Sequence, residues 1–168
     1  MTTHRFCLVS LICYAEAACM PTHPAPPAHE LIHVLVSIVN GANDSLLADV
    51  LAPNYERTAD PLSESARGIE GMRVLVRKMR LDMPDLHVTV TDEITHGDRA
   101  AIRWELSGTD SGPGDYPPTG RHATAVGMSF FWIKNGRLER EWTSWTASRY
   151  SPTWAFAWCH PERIAPRS

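Results

Sequence analysis

The chain has 168 residues, enough for one domain with a buried core. Hydrophobic residues make up 43% and charged residues 21%, and the net charge of −3 comes without a basic cluster, so we expect no nucleic-acid partner. No apolar run approaches the roughly 20 residues of a membrane-spanning helix, so we expect no membrane partner either.

Residues 1–28 differ in composition from the rest of the chain. An apolar run from Phe6 to Tyr14 precedes small residues that would end a signal peptide at residue 17. A dispensable extension is the alternative. Four prolines between Pro21 and Ala28 predict an extended linker, so the folded domain begins near His29. We expect a cytoplasmic protein, or an exported one if the signal peptide is real.

Helical spacing of apolar residues follows in three segments. The first runs from His29 to Asn40 with one apolar face. A polar cap near Asn43 begins a short second helix, which Pro53 ends. After a polar loop, a third helix carries apolar residues from Ile69 to Met79, and Pro84 marks its exit.

The pattern then changes to the period of two that is typical of strands. Leu86 to Val90 and Ile102 to Leu106 alternate between apolar and polar residues and are joined by a Gly-Asp turn. A third strand covers Ala123 to Ile133. Asn135-Gly136 predicts a type I′ turn into a fourth strand, Leu138 to Thr146. Helices followed by an antiparallel four-stranded sheet predict an α+β domain.

Both ends of the chain carry residues that the domain pattern does not use. Three of the four cysteines lie in the first 20 residues, without metal-site or disulfide spacing, so we expect no disulfide in the core. Residues 148–168 form a C-terminal tail with Trp154, Phe156 and Trp158. These aromatic residues would cover apolar surface on the domain or on a partner subunit.

The first helix contains a literal HExxH pattern, His29-Glu30-Leu31-Ile32-His33. This spacing puts both imidazoles on one helix face, where they could bind zinc with Glu30 as a base. Val36 and Val39 stand where a longer zinc-peptidase motif needs Gly and His, and no sheet precedes the helix to form a cleft. Because the two histidines lie off the apolar stripe, a solvated helix face explains them. We therefore assign no metal, and a zinc peptidase is the least favoured function.

Several short motifs occur in a fixed order between residues 30 and 147. They are Leu51-Ala52-Pro53-Asn54-Tyr55, Gly68-Ile69-Glu70-Gly71, Met83-Pro84-Asp85-Leu86-His87-Val88-Thr89-Val90, His96-Gly97-Asp98-Arg99, Pro117-Pro118-Thr119-Gly120-Arg121 and Asn135-Gly136-Arg137-Leu138. This series resembles the SnoaL-like polyketide cyclase and ester cyclase family, whose cone-shaped fold is shared with nuclear transport factor 2. Residues 29–147 are therefore expected to form a SnoaL-like domain.

The resemblance implies a curved sheet wrapped around helices, with one apolar pocket. It implies a cyclase or isomerase that acts by general acid–base chemistry on a small apolar carbonyl-containing molecule, without metal or organic cofactor. It also implies a homodimer. The alternative is a non-catalytic ligand-binding or dimerisation module of the same fold.

The acids that the resemblance leads us to expect in the last strand are replaced by Thr143 and Thr146. These two residues are three apart, so at most one faces the pocket. A threonine hydroxyl cannot act as a base near neutral pH. Asp60 and His87 are the candidate catalytic substitutes, although an ordinary turn role for Asp60 and an exposed position for His87 are the favoured alternatives.

The candidate ligand-binding residues come from the same resemblance and from the predicted strand faces. Arg103 would orient a carbonyl or an anion if its face is concave, and would form a surface ion pair if its face is convex. The tryptophans would belong to the core, to the pocket wall, or to both. The full candidate set is Tyr55, Thr58, Arg103, Trp132, Trp142 and Thr146.

Overall fold

The structure of the chain, a computed structural model, describes residues 26–60, 65–114 and 117–147, without the side chains of Asp60 and Ala147. The predictions for the N-terminal extension before residue 26 and for the aromatic tail fall outside these ranges. Within them, no helix combines the length and the apolar composition that crossing a bilayer would require.

Three α-helices form as predicted. Helix α1, Ala28–Val39, begins directly after Pro27 and buries Leu31, Ile32, Leu35 and Ile38. A 3₁₀ turn, Asp44–Leu46, leads into α2, Leu47–Val50, which is a single helical turn. Helix α3, Gly68–Asp82, buries Met72, Leu75 and Val76. All three helices pack on one face of the sheet, because their apolar residues share its main core cluster.

The segment after α2 is a strand and not the end of a helix, which corrects the sequence prediction. Strand β1, Leu51–Asp60, pairs in parallel with β6 and antiparallel with the short strand β2, Ala66–Arg67. The pairing with β6 is irregular between Leu51 and Glu56, and Pro53 lies in that irregular stretch. Proline is tolerated there because a bulge requires fewer ladder hydrogen bonds.

The sheet therefore has six strands and mixed pairing, in place of the four antiparallel strands predicted. Its order is β2-β1-β6-β5-β4-β3, where the last four strands are β3 His87–His96, β4 Arg99–Thr109, β5 His122–Lys134 and β6 Arg137–Ala147. These four are the predicted meander. Asn135 and Gly136 both have positive φ, 51° and 70°, as the predicted type I′ turn requires.

A bulge in β3 changes which residues face the helices. The register with β4 shifts between Val90 and Asp92, so that Glu93 comes to lie opposite Ile102. Ile102 is buried in the core between sheet and helices. Since directly paired residues share a face, the bulge places Glu93 on the helix-facing side.

Candidate functional site

A cavity of about 90 Å³ lies between the inner face of the sheet and helices α1 and α3. Its wall is mostly apolar and comes from both helices and five strands. The apolar lining residues are Leu35, Val36, Val39, Met72, Leu75, Met79, Val88, Ile102, Trp104, Leu106 and Phe131. Four polar residues interrupt this wall on strands β1, β5 and β6, namely Arg57, Ser129, Glu141 and Thr143.

Glu141 contributes the one carboxylate among these lining residues and is only 7% exposed. Its Oε2 accepts a hydrogen bond of 2.5 Å from the hydroxyl of Tyr55. Its Oε1 accepts one of 2.9 Å from Ser129 and lies 3.6 Å from Nε of Arg57. Both carboxylate oxygens are thus oriented, and the nearby guanidinium balances their charge.

The polar surface continues from Glu141 along the cavity wall. The Ser129 hydroxyl accepts a hydrogen bond of 3.1 Å from Nε1 of Trp104 and lies 2.9 Å from the hydroxyl of Thr143. The Thr143 hydroxyl also lies 3.2 Å from the carbonyl oxygen of Met128, and the residue is fully buried. The cavity therefore presents a carboxylate, a guanidinium and two hydroxyls in one connected group.

The pleat of the sheet brings these side chains together. Glu141 and Thr143 are two residues apart on β6, so they point to the same face. Arg57 lies opposite Glu141 in the parallel pairing of β1 with β6, and Ser129 lies opposite Thr143 on β5. Directly paired residues are close enough for side-chain contact, so the sheet holds the polar group in place.

Tyr55 remains a hydrogen-bond donor to Glu141 over the whole neutral range. Burial, and secondly the adjacent Glu141 carboxylate, raise the pKa of the Tyr55 phenol well above its usual range. The residue is 1% exposed, so no water replaces this hydrogen bond. Tyr55 does not line the cavity, and its hydroxyl orients the Glu141 carboxylate from the protein interior.

Replacing Tyr55 with Phe is expected to lower stability most at neutral pH and less in alkali. A hydrogen bond to a charged group contributes about 1.5–3 kcal/mol. Above pH 10 the unfolded chain loses a phenol proton that the folded chain keeps, because the pKa of Tyr55 is raised on folding. The wild type then loses up to about 1.4 kcal/mol per pH unit relative to the variant. Urea unfolding of both proteins at pH 7 and pH 11 measures this, and an unchanged difference would contradict it.

The sequence-predicted residues divide between the two faces of the sheet. Tyr55 lies in the core behind Glu141, and Thr143 lines the cavity. Thr146 is exposed and lines a shallow groove on the outer face with Trp142 and Arg103. Of the two threonines that replace the expected acids, one thus faces the cavity.

Arg103 lies on the convex face, which decides between its two interpretations. Its guanidinium is 3.4 Å from Asp92, and the two side chains are 52% and 67% exposed.

Trp132 is half-buried near the end of β5, with the guanidinium of Arg140 4.7 Å from its ring centroid. Thr58 is exposed on β1. None of these residues lines the described cavity.

The candidate catalytic residues Asp60 and His87 are not brought together. His87 is exposed, whereas its neighbour Val88 lines the cavity, so His87 lies on the opposite face of β3. Asp60 ends β1 opposite Ser144, and its side chain lies outside the described part of the chain. Its catalytic role stays a prediction.

Sequence reasoning missed Glu141, Arg57 and Ser129. The resemblance directed attention to Thr143 and Thr146, although a carboxylate stands two residues before Thr143 on the same strand. A period-two projection of β6 would have found Glu141. Arg57 could not be found in this way, because its position depends on an unpredicted strand.

Comparison with known proteins places this chain in a family. The SnoaL-like polyketide cyclase family matches residues 29–147. Comparison with curated protein sequences finds no match. TsrD from Streptomyces laurentii is 30% identical, with a TM-score of 0.61, and the alignment covers 70% of this chain and 86% of TsrD.

Two further solved structures are similar. IdmH from Streptomyces antibioticus, a candidate polyketide cyclase, is 25% identical over 70% of this chain and 90% of its own, with a TM-score of 0.61. A SnoaL-like polyketide cyclase from Agrobacterium tumefaciens is 19% identical over 72% and 92%, with a TM-score of 0.60, and shows the fold alone. Because the family match extends over residues 29–147, the chain belongs to the SnoaL-like polyketide cyclase family.

Proposed function

We propose that the protein binds a small apolar carbonyl compound in its cavity and moves a proton on that compound with Glu141 as the general base. The observation that carries this proposal is a single oriented carboxylate in a mostly apolar cavity. An apolar wall favours an apolar substrate, and a carboxylate at hydrogen-bond reach can accept a proton from it.

In the proposed reaction, Glu141 removes a proton from a carbon next to a carbonyl group. The C–H electron pair moves to the carbonyl oxygen and gives an enolate. Arg57 and the hydroxyl of Thr143 lie on the same wall and would stabilise that oxygen. Return of the proton to another carbon completes an isomerisation. Alternatively, the enolate carbon attacks a second carbonyl and closes a ring, and the π electrons of that carbonyl move to its oxygen, which takes the proton back from Glu141. Neither outcome requires an oxidant or a reductant.

The size of the cavity limits what it can hold. A buried water needs about 10–15 Å³ on this measure, so a volume of about 90 Å³ corresponds to about six to nine waters. One ring-sized portion of a substrate fits this space. We therefore expect a small carbonyl compound, or one ring of a larger molecule, to enter.

Deuterium exchange tests the proposal without knowledge of the natural substrate. The protein is mixed in D₂O with a small 2-alkyl β-keto ester, and loss of the proton between the two carbonyl groups is followed by NMR. We expect exchange faster than in buffer, with saturation as the ester concentration rises. Saturable binding without faster exchange would contradict the catalytic part and favour the non-catalytic ligand-binding module.

We also propose that a second copy of the chain covers the outer face of the sheet. Val126, Met128 and Phe130 alternate along β5 and are between 40% and 46% exposed. Phe130 packs against Trp142, with ring centroids 5.8 Å apart, so the apolar surface is continuous across two strands. Contiguous exposed apolar surface of this kind marks interaction sites.

Replacing Met128 with Glu is expected to convert a dimer into a monomer, because it buries a charge at the centre of this face. Light scattering after size exclusion measures the mass of each protein. Val74→Glu is the matched control, since Val74 is 58% exposed on a helix and should leave the dimer intact. A monomeric wild type would contradict the proposal and make residues 148–168 the next covering segment to test.

A further inference from the structure

His29, His33 and Glu93 converge at one point outside the cavity. Nδ1 of His29 and Nε2 of His33 each lie 3.0 Å from the same carboxylate oxygen, Oε2 of Glu93. One donor atom from each residue lies within 4.8 Å of the other two. We propose that this His–His–Glu cluster binds a divalent transition-metal ion, and that Zn²⁺ is the ion best suited to it.

Two of the three distances between the ligand atoms are close to what zinc requires. Zinc bonds to imidazole nitrogen and carboxylate oxygen are about 2.0–2.2 Å long, so tetrahedral ligand atoms lie about 3.3 Å apart. The two nitrogen–oxygen distances of 3.0 Å are within a few tenths of an ångström of that value. Two imidazole nitrogens and the two oxygens of one carboxylate make four ligand atoms, a number and a ligand set that zinc accepts.

A second observation concerns the other oxygen of the same carboxylate. Oε1 of Glu93 is buried and has no hydrogen-bond partner among the described residues. The Glu93 side chain is only 15% exposed. Leaving a buried charged acceptor unsatisfied is costly, and a metal ion bound by both carboxylate oxygens would remove that cost.

The fold builds the cluster from two elements that are far apart in sequence. The i, i+4 spacing puts His29 and His33 on one face of α1. The β3 bulge turns Glu93 towards that helix, as described above. The N-cap residue of α1, Pro27, provides no side-chain hydrogen bond to the helix, so an ion bound by His29 and His33 would stabilise an end that lacks a side-chain cap. The proposed role of the ion is therefore to hold α1 against the sheet.

This assignment differs from the zinc peptidase that the HExxH pattern suggests. The third ligand is a strand residue, and none of the three ligands lines the described cavity. The histidine side chains are 62% and 46% exposed, so the ion would lie at the surface. The sequence alone does not point to this third ligand, because Glu93 is 60 residues from His33 and its orientation depends on the bulge.

Zinc titration of the full chain tests the site. The protein is freed of metal, its cysteines are blocked by alkylation, and ZnCl₂ is added in a calorimeter. We expect the wild type to bind one more equivalent of zinc than Glu93→Gln or His33→Ala binds. If either variant still binds this zinc ion, its dissociation constant should be at least tenfold higher than that of the wild type. Zinc should also raise the thermal midpoint of the wild type and not that of Glu93→Gln, because only the folded site binds the ion.

His87→Ala is the matched control. His87 is exposed on the same strand as Glu93, about 20 Å away at the usual rise per residue, and should bind zinc as the wild type does. Equal zinc binding by the wild type and Glu93→Gln would overturn the proposal. So would a wild type whose thermal midpoint does not respond to zinc. A cooperative urea unfolding transition in each metal-free variant would show that it is folded, so a misfolded variant cannot imitate a lost site.

Discussion

Replacing Glu141 with Gln should reduce catalysed deuterium exchange by about 10²–10⁴-fold, the usual contribution of a general base. Gln has the same size and can still accept the hydrogen bond from Tyr55. Its amide group can donate towards Ser129, so the cavity wall keeps its shape. The variant should therefore bind the β-keto ester with little change in affinity while losing the exchange reaction.

Glu139→Gln provides the matched control for this experiment. Glu139 lies on the same strand, two residues before Glu141, and pairs with Lys134 at 3.4 Å outside the cavity. The same loss of charge at this position should leave exchange unchanged. Wild-type exchange rates in the Glu141→Gln protein would show that another group is the base, and Asp60 would then be the residue to replace.

The second large effect is expected at Gly127, where adding one methyl group should destabilise the protein by about 1–3 kcal/mol. A Cβ atom at this position would lie 2.3 Å from Cζ2 of Trp104, with two more ring atoms within 2.7 Å. Trp104 and Gly127 are direct partners across β4 and β5, so the indole ring lies over the glycine. The ring must move, and its hydrogen bond to Ser129 would be strained or lost.

Chemical denaturation of Gly127→Ala measures this loss in the free energy of unfolding. Gly71→Ala is the control, and it is expected to raise the free energy of unfolding. A new Cβ at Gly71 would lie 3.7 Å from the nearest atom of Ala66, an ordinary contact distance. Alanine is favoured over glycine by about 0.5–1 kcal/mol inside a helix. Combining Gly127→Ala with Trp104→Phe should recover part of the loss, because a smaller ring relieves the overlap. Strict additivity of the two substitutions would contradict the proposed clash.

The elements that sequence reasoning predicted are those with strong local patterns. Strands β3 to β6 have clear alternation of polar and apolar residues, and the Asn135-Gly136 turn has the expected positive φ angles. Strand β1 could not be predicted, because Pro53 interrupts its pattern and its partner β6 lies some 80 residues later. Such strand pairings depend on tertiary contacts, which cannot be seen in a short stretch of sequence.

The residues of the candidate site also divide into those that a local pattern predicts and those that depend on distant pairings. Thr143 was expected on the last strand, and the cavity contains it. Arg57 joins the site only through the parallel pairing of β1 with β6, which no local pattern predicts. Glu93 depends on a one-residue bulge, and a single inserted residue reverses the face of everything that follows it. Sites whose residues come from strands far apart in sequence therefore cannot be predicted from the local sequence pattern.

The position of β6 has a consequence for how the chain folds. It is the last described strand, yet it lies inside the sheet and connects β1 to the β3–β5 meander. At a synthesis rate of about 5–20 residues per second, roughly 4–17 s pass between the synthesis of β1 and the synthesis of its partner strand β6. Throughout that time one edge of β1 is unpaired, and unpaired strand edges are sites of aggregation. A chaperone that covers this edge during synthesis should therefore raise the soluble yield of the protein.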